Sequence, residues 1–333
     1  MRANRVGTVA FVCSIMTEDS GSFKYLAYGV SIESEVELRE LQPGPSGAAD
    51  ARIRLGEVGE PLVARHIQAS EVFERPGARV RVSDNAMNIV WDRVGKFLIH
   101  SGREVLIEPE AGCREDDLQP FVTGPVLSAL LHQRGYCVLH ASAVLLEGQV
   151  AVFLGAKGYG KSTIAAQLHE RGHKLVSDDI VPVSVEEDRI LTYPGFPRIK
   201  LSEEAIVALG RDPEEFPKVH RYVEKRSFNN LETLPPGPLR LRGIFLLAEG
   251  DSVSIEPLSQ AAAFMELATH SFLNRYLAAM NCLEKHFQQS QALVRSVPMF
   301  RLSRPFGFAK TADISRRIEE LILEMDIGQN GSR

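Results

Sequence analysis

A glycine-rich run from Gly155 to Ser162 limits how the middle of this chain can fold, because it fits the phosphate-binding pattern G-x-x-x-x-G-K-S/T. The apolar residues 150–154 before it predict a buried strand, and apolar spacing over 163–170 predicts a helix that ends near Gly172. Glycines let such a loop curl until its N–H groups converge on phosphate oxygens, and the helix N-terminus adds partial positive charge. The strand–loop–helix order therefore predicts a site for a nucleoside triphosphate.

The residues of this loop have separate expected roles. Lys161 would reach the β- and γ-phosphates, and the Ser162 hydroxyl would be a ligand of Mg²⁺. A nucleoside triphosphate and Mg²⁺ are therefore the predicted ligands of the loop. The residues expected to bind the nucleotide in and beside the loop are Gly155, Gly158, Gly160, Lys161, Ser162 and Thr163.

Two adjacent carboxylates follow the loop helix. Residues 175–179 read Leu-Val-Ser-Asp-Asp, which predicts a strand that ends in Asp178 and Asp179. Mg²⁺ prefers oxygen ligands, so Asp178 is expected beside Ser162 in a metal site, while Asp179 can accept the proton of an attacking hydroxyl. The two roles could be exchanged, and both side chains reach one site only if the strand ends there. The competing interpretation is a solvated strand end.

His140 is the histidine expected nearest the phosphates, and it is a candidate catalytic residue. It lies in a predicted strand over 139–142 that pairs with strand 150–154 through a tight turn at Glu147 and Gly148. In that hairpin His140 falls at the end from which the loop departs, where an imidazole could polarise the γ-phosphate or shift the protonation of the aspartates. A lone histidine on a strand is more often a core residue, so both interpretations stay open.

Four cations from later segments could stabilise the charge of a transferring phosphoryl group. Arg198 and Lys200 follow a turn rich in proline and glycine and are candidate catalytic residues. Lys225 and Arg226, candidate nucleotide-binding residues, lie within 211–239, whose prolines predict a long loop of the kind that forms lids. Each of the four could instead be a solvated surface charge.

The length of 333 residues allows two folded parts. Apolar–polar alternation predicts a small β-rich domain over 21–118, and an apolar stripe at helical spacing from Phe121 opens a P-loop domain over 119–333. Residues 1–20 are expected to be a loosely ordered leader rather than a secretory signal, because polar residues directly follow a short apolar stretch. The other expected segments are alternating runs over 35–41, 52–55, 79–82 and 96–99, a polar connector over 108–117 and a closing helix over 312–325.

Charge and cysteine spacing argue against several classes of protein. The formal charge is −5, without the concentrated basic surface that nucleic-acid binding requires. No apolar stretch approaches the length of a membrane span. The four cysteines are far apart, show no C-x-x-C spacing and are expected to be reduced thiols in a cytoplasmic protein. The sequence leaves a homo-oligomeric state open.

The motifs between Cys137 and Val183 form a specific set that consists of His140, the Gly155–Ser162 loop, the Arg171-Gly172-His173 turn and the Asp178-Asp179 pair. Together they resemble the catalytic domain of HPr kinase/phosphorylase, whose fold is related to phosphoenolpyruvate carboxykinase. The resemblance implies an α/β (α+β) fold with a P-loop catalytic domain preceded by a small β-rich domain. It also implies that the loop binds ATP, that the aspartates are metal ligand and catalytic base, and that the histidine assists at the phosphate.

Beyond Val183 the chain departs from the HPr kinases. Their downstream signature, rich in glycine and isoleucine with a glutamate and an arginine, is not found in this sequence. The segment 193–201 and the β-rich N-terminal part are more similar to the HPr-kinase-like proteins of ribosomal peptide biosynthesis, which include the lasso peptide kinases. That resemblance implies transfer of phosphate from ATP to the C-terminal serine of a precursor peptide.

Three other functions compete with a peptide serine kinase. An HPr serine kinase/phosphorylase would modify a folded carrier protein and would run in reverse with phosphate. A nucleotide-binding sensor would bind ATP without transferring phosphate. A motor or transporter ATPase is the weakest alternative, because Ile180 rather than a glutamate follows the aspartates. In the favoured hypothesis the partner is a peptide or small protein with an acceptor serine.

Overall fold

The computed structural model describes residues 21–60, 62–63, 71–75, 77–187, 189–220, 223–228, 232, 234–308 and 311–330. The predicted leader over 1–20 lies outside these residues. The fold is a mixed α/β arrangement in which two large sheets follow one another along the chain. Within the described residues, none of the helices is both long and apolar enough to cross a membrane. Cys137 and Cys282 are free thiols.

The strands of the first sheet, in the described residues, are β1 (Phe23–Ala27), β2 (Val30–Ser34), β3 (Gln42–Pro43), β4 (Ala51–Leu55), β5 (Glu71–Arg75), β6 (Ala78–Ser83), β7 (Ala86–Trp91), β8 (Gly95–His100) and β9 (Glu104–Pro109). They lie in the order β3-β1-β2-β4-β9-β8-β7-β6-β5. Neighbouring strands are antiparallel except for β2–β4 and β4–β9. The alternating runs 52–55, 79–82 and 96–99 lie inside β4, β6 and β8, which confirms these strand predictions.

The run 35–41 is not a strand, although its apolar and charged residues alternate. Val36 and Leu38 are fully buried in a loop between β2 and β3. The Leu38 N–H donates to the Tyr25 hydroxyl at 2.8 Å rather than to a neighbouring strand. The strand prediction is wrong here because an extended loop that lies against a core produces the same alternation without ladder hydrogen bonds.

A helical segment follows the first sheet and packs on it. It consists of α1 (Glu115–Phe121), a π-helical turn (Val122–Val126) and α2 (Leu127–Gln133). The predicted connector is therefore shorter than expected and spans only 110–114. The apolar stripe is confirmed as a buried face shared with the core of the first sheet, so helices beyond residue 118 pack with the β-rich part. The stripe residues are Val126, Leu127, Leu130 and Leu131.

The strands of the second half are β10 (Cys137–Leu139), β11 (Ser142–Leu146), β12 (Gln149–Leu154), β13 (Lys174–Asp178), β14 (Val181–Glu186), β15 (Arg189–Thr192), β16 (Ile199–Leu201), β17 (Lys218–His220), β18 (Val223–Phe228), β19 (Leu239–Glu249), β20 (Ser254–Pro257) and β21 (Met299–Arg304). The helices are α3 (Lys161–Glu170), α4 (Glu203–Ala208), α5 (Gln260–His270), α6 (Leu283–Ser296) and α7 (Thr311–Asn330). The predicted strand before the loop, the helix after it and the closing helix are confirmed as β12, α3 and α7.

The second sheet brings the carboxyl ends of several strands to one edge. Its order is β10-β14-β15-β19-β12-β11-β13, with β21 and then β20 added beside β19. Strands β12, β19 and β21 are parallel. Strand β13 points the same way, because β11 is antiparallel to both β12 and β13. Ligands of α/β proteins commonly bind at such an edge, which makes it the first place to look for a site.

The segment 211–239 is more regular than its prolines suggest. Within its described residues, a 3₁₀ turn (Pro213–Glu215) precedes β17 and β18, which form a three-stranded sheet with β16. Pro217 stands before β17 and Pro235 after β18, so the strands fit between the prolines. The predicted long loop is therefore wrong over 218–220 and 223–228.

The two sheets meet at the segment 194–198, which leads into β16. The Tyr28 N–H donates to the Pro194 carbonyl at 2.8 Å, and the Tyr28 and Phe196 rings pack edge to face at 6.1 Å. The buried Arg198 forms an ion pair with Glu40 of the loop before β3. The first sheet thus holds the stretch of chain that carries Lys200.

Candidate active site

The glycine-rich loop leaves β12 at the carboxyl edge of the second sheet and enters α3. Gly158 and Gly160 have φ angles of +88° and +81°, which favour glycine. A Cβ on Gly160 would also lie 2.5 Å from Nη2 of Arg304. The buried Lys161 donates from Nζ to the Gly155 carbonyl at 2.7 Å, and burial lowers the pKa of this ammonium group. A poorly screened positive charge is thus held at the loop.

Asp178 lies at the end of β13 and accepts hydrogen bonds on both carboxylate oxygens. The Ser162 and Ser142 hydroxyls donate to Oδ1 at 2.9 Å and 2.6 Å, and the Lys200 N–H donates to Oδ2 at 3.0 Å. A hydroxyl and a carboxylate side by side fit Mg²⁺, which takes few protein oxygens besides water and phosphate. In the part of the chain that the structure describes, no three or more His, Cys, Asp or Glu side chains are grouped to hold a metal ion by themselves.

Asp179 has a φ angle of +82°, an uncommon conformation for a residue other than glycine. Strand β13 ends at Asp178, so the backbone turns sharply between the two carboxylates. The Ser177 hydroxyl donates to the Ile180 carbonyl at 2.5 Å and spans this turn. The turn lets both aspartates line the same cavity. Backbone strain of this kind costs about 1–3 kcal/mol and is concentrated at functional sites.

The Asp179 carboxylate lies between two cationic or potentially cationic side chains. Its Oδ1 is 3.2 Å from His140 Nδ1, and its Oδ2 is 3.1 Å from Lys200 Nζ. Burial would raise the pKa of Asp179, but Lys200 and His140 outweigh it and leave the pKa below its ordinary value. Burial lowers the pKa of His140 despite the nearby carboxylate. At neutral pH the ring is therefore neutral, with Nδ1–H assigned as donor to Asp179 and Nε2 left as an acceptor.

His140 reaches this position from a link between strands rather than from a strand. It lies between β10 and β11, and its N–H donates to the His270 carbonyl at 2.8 Å. The predicted strand over 139–142 is interrupted at residues 140 and 141, because β10 pairs with β14, whereas β11 forms the predicted hairpin with β12. The link lies at the edge from which the loop departs, so the ring still contacts Asp179.

Two of the four candidate cations lie at the site and two do not. Lys200 and Lys225 line the cavity beside the aspartates. Arg198 is buried against Glu40 and is a structural ion pair rather than a phosphate ligand. Arg226 pairs with glutamates of neighbouring elements on the other face of β18. Successive strand residues point to opposite faces, so Lys225 and Arg226 do not share a target.

One cavity of about 360 Å³ unites these groups. Gly158, Gly160 and Thr163 also line it, whereas Gly155 contributes through its hydrogen bond to Lys161. Around the aspartates, the lining side chains that can titrate or bind a metal are His140, Lys161, Ser162, Asp178, Asp179, Lys200 and Lys225.

Four residues of the site were missed by sequence reasoning. Ser142 donates to Asp178 and stands two residues after His140, so its place on the hairpin was a usable signal. Arg304, at the end of β21, and Phe306 and Phe308, just after it, also line the cavity. Nothing local marks these three, because only the pairing of β21 with β19 brings them to the loop.

No family model matches the chain. A 60-residue stretch, 18% of this chain, is 38% identical to HPr kinase/phosphorylases of Prosthecochloris aestuarii and Chlorobium phaeobacteroides, and the match spans 18% of the length of each. Among solved structures, the Hpr(Ser) kinase/phosphatase of Coxiella burnetii matches with a TM-score of 0.31 and 11% identity, over 58% of this chain and 98% of that one. Over the 60-residue stretch, the chain is similar to HPr kinase/phosphorylases.

Proposed function

We propose that this protein is a kinase that uses ATP and Mg²⁺ to phosphorylate a serine hydroxyl of a peptide or small protein. One observation carries the proposal: Lys161, the Ser162–Asp178 pair and the Asp179–His140 pair meet in one cavity of about 360 Å³. In phosphoryl transfer the protein contributes mainly by positioning the reacting groups and by stabilising their charge, with little covalent chemistry of its own. These side chains can supply both.

The glycine-rich loop and the start of α3 would bind the phosphates. Loop N–H groups and the helix N-terminus attract phosphate oxygens. Lys161 would exchange its bond with the Gly155 carbonyl for the β- and γ-phosphate oxygens. Ser162 and Asp178 would hold Mg²⁺, which when bound neutralises charge on those two phosphates.

Asp179 is the proposed acceptor of the serine proton. Its lowered pKa keeps it ionised at neutral pH, and His140 and Lys200 hold its two oxygens in place. As the serine oxygen forms its bond to the γ-phosphorus and the bond to the leaving ADP oxygen breaks, the proton passes to this carboxylate. His140 Nε2 is a second proton acceptor in the same pair, so the pH profile of each variant separates the two roles.

The acceptor in this proposal is the C-terminal serine of a ribosomal precursor peptide, as in the lasso peptide kinases. Two features of the sequence support it, namely the missing downstream signature of HPr kinases and the similarity of 193–201 to peptide-tailoring relatives. The same segment packs on the first sheet through Pro194 and leads to Lys200 at the cavity. The sequence of this segment differs from that of the HPr kinases, and the segment lies close to the proposed site of phosphoryl transfer.

HPr is the alternative acceptor, because the two curated relatives are HPr kinase/phosphorylases. The two acceptors differ in kind, because one is an extended peptide end and the other a folded carrier protein. They also differ in direction, since an HPr kinase/phosphorylase would also remove the phosphate when inorganic phosphate is supplied.

Intact mass spectrometry after incubation with ATP and Mg²⁺ tests the proposal. Serine-ended precursor peptides and purified HPr would each be offered as acceptors, with Lys161→Ala as the control enzyme. We expect one or more added phosphates on the peptide, absent with Lys161→Ala. Peptides in which the terminal serine is replaced by alanine should remain unmodified.

The other outcomes each change the assignment. Modification of HPr alone would move the function to the carrier-protein kinase. ATP binding without modification of either acceptor would favour a nucleotide sensor and contradict the kinase proposal. Peptide phosphorylation that persists in Lys161→Ala would place the transfer in another protein of the preparation.

A further inference from the structure

The glycine-rich loop is flanked on both sides at the same sheet edge. In the strand order, β13 with its aspartate lies two places to one side of β12, and β21 lies two places to the other side, beyond β19. All of these strands end at this edge. Strands lie about 4.8 Å apart, so each flank is about 10 Å from the loop strand. The aspartates and the residues after β21 thus face each other across the loop.

Arg304, the last residue of β21, fixes the segment that follows it to the glycine-rich loop. Its Nη2 donates to the Tyr159 carbonyl at 2.6 Å, and its Nη1 donates to the Pro305 and Gly307 carbonyls at 3.2 Å and 3.0 Å. The arginine is buried, and glycine at position 160 leaves room for it. The segment after β21 therefore has a fixed position relative to the phosphate site.

Two aromatic rings of this segment stand in the cavity. Phe306 is 69% exposed and Phe308 is 38% exposed, yet both line the cavity that contains the glycine-rich loop. At 69% exposure, the Phe306 ring lacks most of the free energy that burial would provide, and a ligand stacked on the ring would restore it. Rings of this kind stack on nucleobases, and each such contact is worth about 1–3 kcal/mol.

The direction of a bound triphosphate follows from the proposed function, on which this inference rests. Lys161 binds the β- and γ-phosphates, and Asp179 and His140 mark the end where the γ-phosphoryl group leaves. The nucleoside must then extend to the other flank, toward Phe306 and Phe308. We propose that these two rings form the nucleobase platform of the site. A planar base stacks on Phe306, and Phe308 closes the cavity beside it.

Stacking on a phenylalanine ring has a recognisable specificity. It makes use of the π-face that every base has and of no hydrogen bond that distinguishes adenine from guanine. ATP and GTP are therefore expected to bind with similar affinity. Tripolyphosphate has the phosphates without a base and reports the loop alone, which makes it the matched probe.

Equilibrium binding of ATP and of tripolyphosphate to Phe306→Ala, with Mg²⁺ and without an acceptor, tests this platform. Stacking of the stated strength predicts that the ATP affinity falls about 5- to 150-fold while tripolyphosphate affinity stays within about twofold. Phe306→Trp should retain ATP binding. Phe287→Ala on α6, where the ring is 50% exposed and is not part of the cavity lining, is the control and should change neither affinity.

Each failure has a separate meaning. If the wild-type protein binds neither ATP nor tripolyphosphate, the proposed function fails and the platform with it. If it binds ATP and Phe306→Ala binds ATP equally well, the platform is overturned while the kinase proposal stands. Equal losses for ATP and tripolyphosphate, with an unchanged melting temperature, would also overturn it, because the ring would then act on the phosphate loop.

Discussion

The two large sheets of this protein place their charged residues very differently. On the first sheet, charged side chains form solvent-accessible pairs between neighbouring strands, such as Arg79 with Glu74 and Arg52 with Glu104. On the second sheet, Lys161, Asp178 and Arg304 are buried together at one edge. Exposed pairs contribute little to stability, whereas buried charges cost free energy unless each is paired or used.

Strand direction explains the difference. In the antiparallel hairpins from β5 to β9, successive strand ends alternate between opposite edges, and tight turns occupy them. In the second sheet, β12, β13, β19 and β21 all end at the same edge. Side chains from distant parts of the chain therefore meet at that edge. From this comparison we expect the second sheet to carry the proposed catalytic residues and the first sheet to stabilise them.

The largest expected effect is loss of transfer when Asp179, the proposed base, is replaced. Asp179→Asn keeps the shape of the side chain but cannot take the serine proton, and a general base contributes about 10²- to 10⁴-fold in rate. We expect ATP affinity within a few-fold of wild type and phosphorylation reduced by that factor in a mass-spectrometric time course. Asp84→Asn, in a turn of the first sheet, should leave the rate unchanged.

Near-normal turnover in Asp179→Asn would remove this residue from the role of base. A comparable loss in Asp84→Asn would instead break the division of labour between the sheets. Asp178→Asn provides a further contrast, because a metal-side residue should make the rate depend more strongly on Mg²⁺ concentration. The rate of each aspartate variant, measured over a range of Mg²⁺ concentrations, therefore shows which aspartate is the metal ligand and which is the base.

The part of the site that lies close together in sequence was predictable from it. The loop, its lysine and serine, and the Asp178–Asp179 pair follow one another through one strand–helix–strand unit, whose geometry is local. Sequence reasoning also stated the condition for both aspartates to share a site, and the turn at Asp179 meets it.

Contributions from distant segments could not be predicted in the same way. Arg304 and Phe306 reach the loop only because β21 joins β19 in parallel, a pairing between segments far apart in the chain. Arg198 and Arg226 have the positive charge expected of phosphate ligands, but carboxylates from other elements pair with them. Nor does alternation over 35–41 distinguish a strand from an extended loop on the core. In each case the missing information is which element lies alongside.

The next largest effect concerns stability and the contact between the sheets. Glu40→Gln leaves the buried Arg198 without its ionic partner, and loss of one member of a buried pair costs about 3–5 kcal/mol. We expect a clear fall in the free energy of unfolding, measured by denaturant titration. Glu37→Gln is the matched control, because its partner Arg39 is mostly exposed and the pair should contribute about 0–1 kcal/mol.

This variant also sharpens the comparison of the sheets. If transfer by the folded fraction is unchanged in Glu40→Gln, the first sheet supports the site without tuning it. A fall in rate that exceeds the loss of folded protein would show that the first sheet positions Lys200 through the segment 194–198. The first sheet would then contribute to catalysis through that segment, rather than only to stability.

A smaller effect is expected from His132 on α2, the helix between the sheets. The ring is buried against the Phe272 carbonyl, and burial lowers its pKa from 6.5 to about 4. Above pH 6.5 the ring is neutral in both the folded and unfolded states. Below it the unfolded state takes up a proton first, so stability falls between pH 6.5 and pH 4, by about 2 kcal/mol at pH 5. His132→Gln should flatten this part of the stability profile, and an unchanged slope would contradict the assignment.

The smallest effect, and the one that separates the two proton acceptors, is the acid limb of the rate. His140 has a pKa below 6.5, and Asp179 has a pKa below 3.8. If neutral His140 must receive the proton or keep Asp179 in place, kcat is constant above pH 6.5. It then falls up to tenfold per pH unit once the ring protonates. If only the ionised Asp179 matters, the fall begins below pH 3.8.

His140→Gln decides between these cases because glutamine can still donate a hydrogen bond to Asp179 but does not titrate. We expect the variant to lose the acid limb that begins below pH 6.5, with His100→Gln on the first sheet as a control that keeps it. A limb unchanged in His140→Gln would assign it to another group and leave Asp179 as the base alone. If both variants lost the acid limb, a histidine outside the cavity would also control the rate. The first sheet would then take part in the chemistry, which contradicts the proposed contrast between the two sheets.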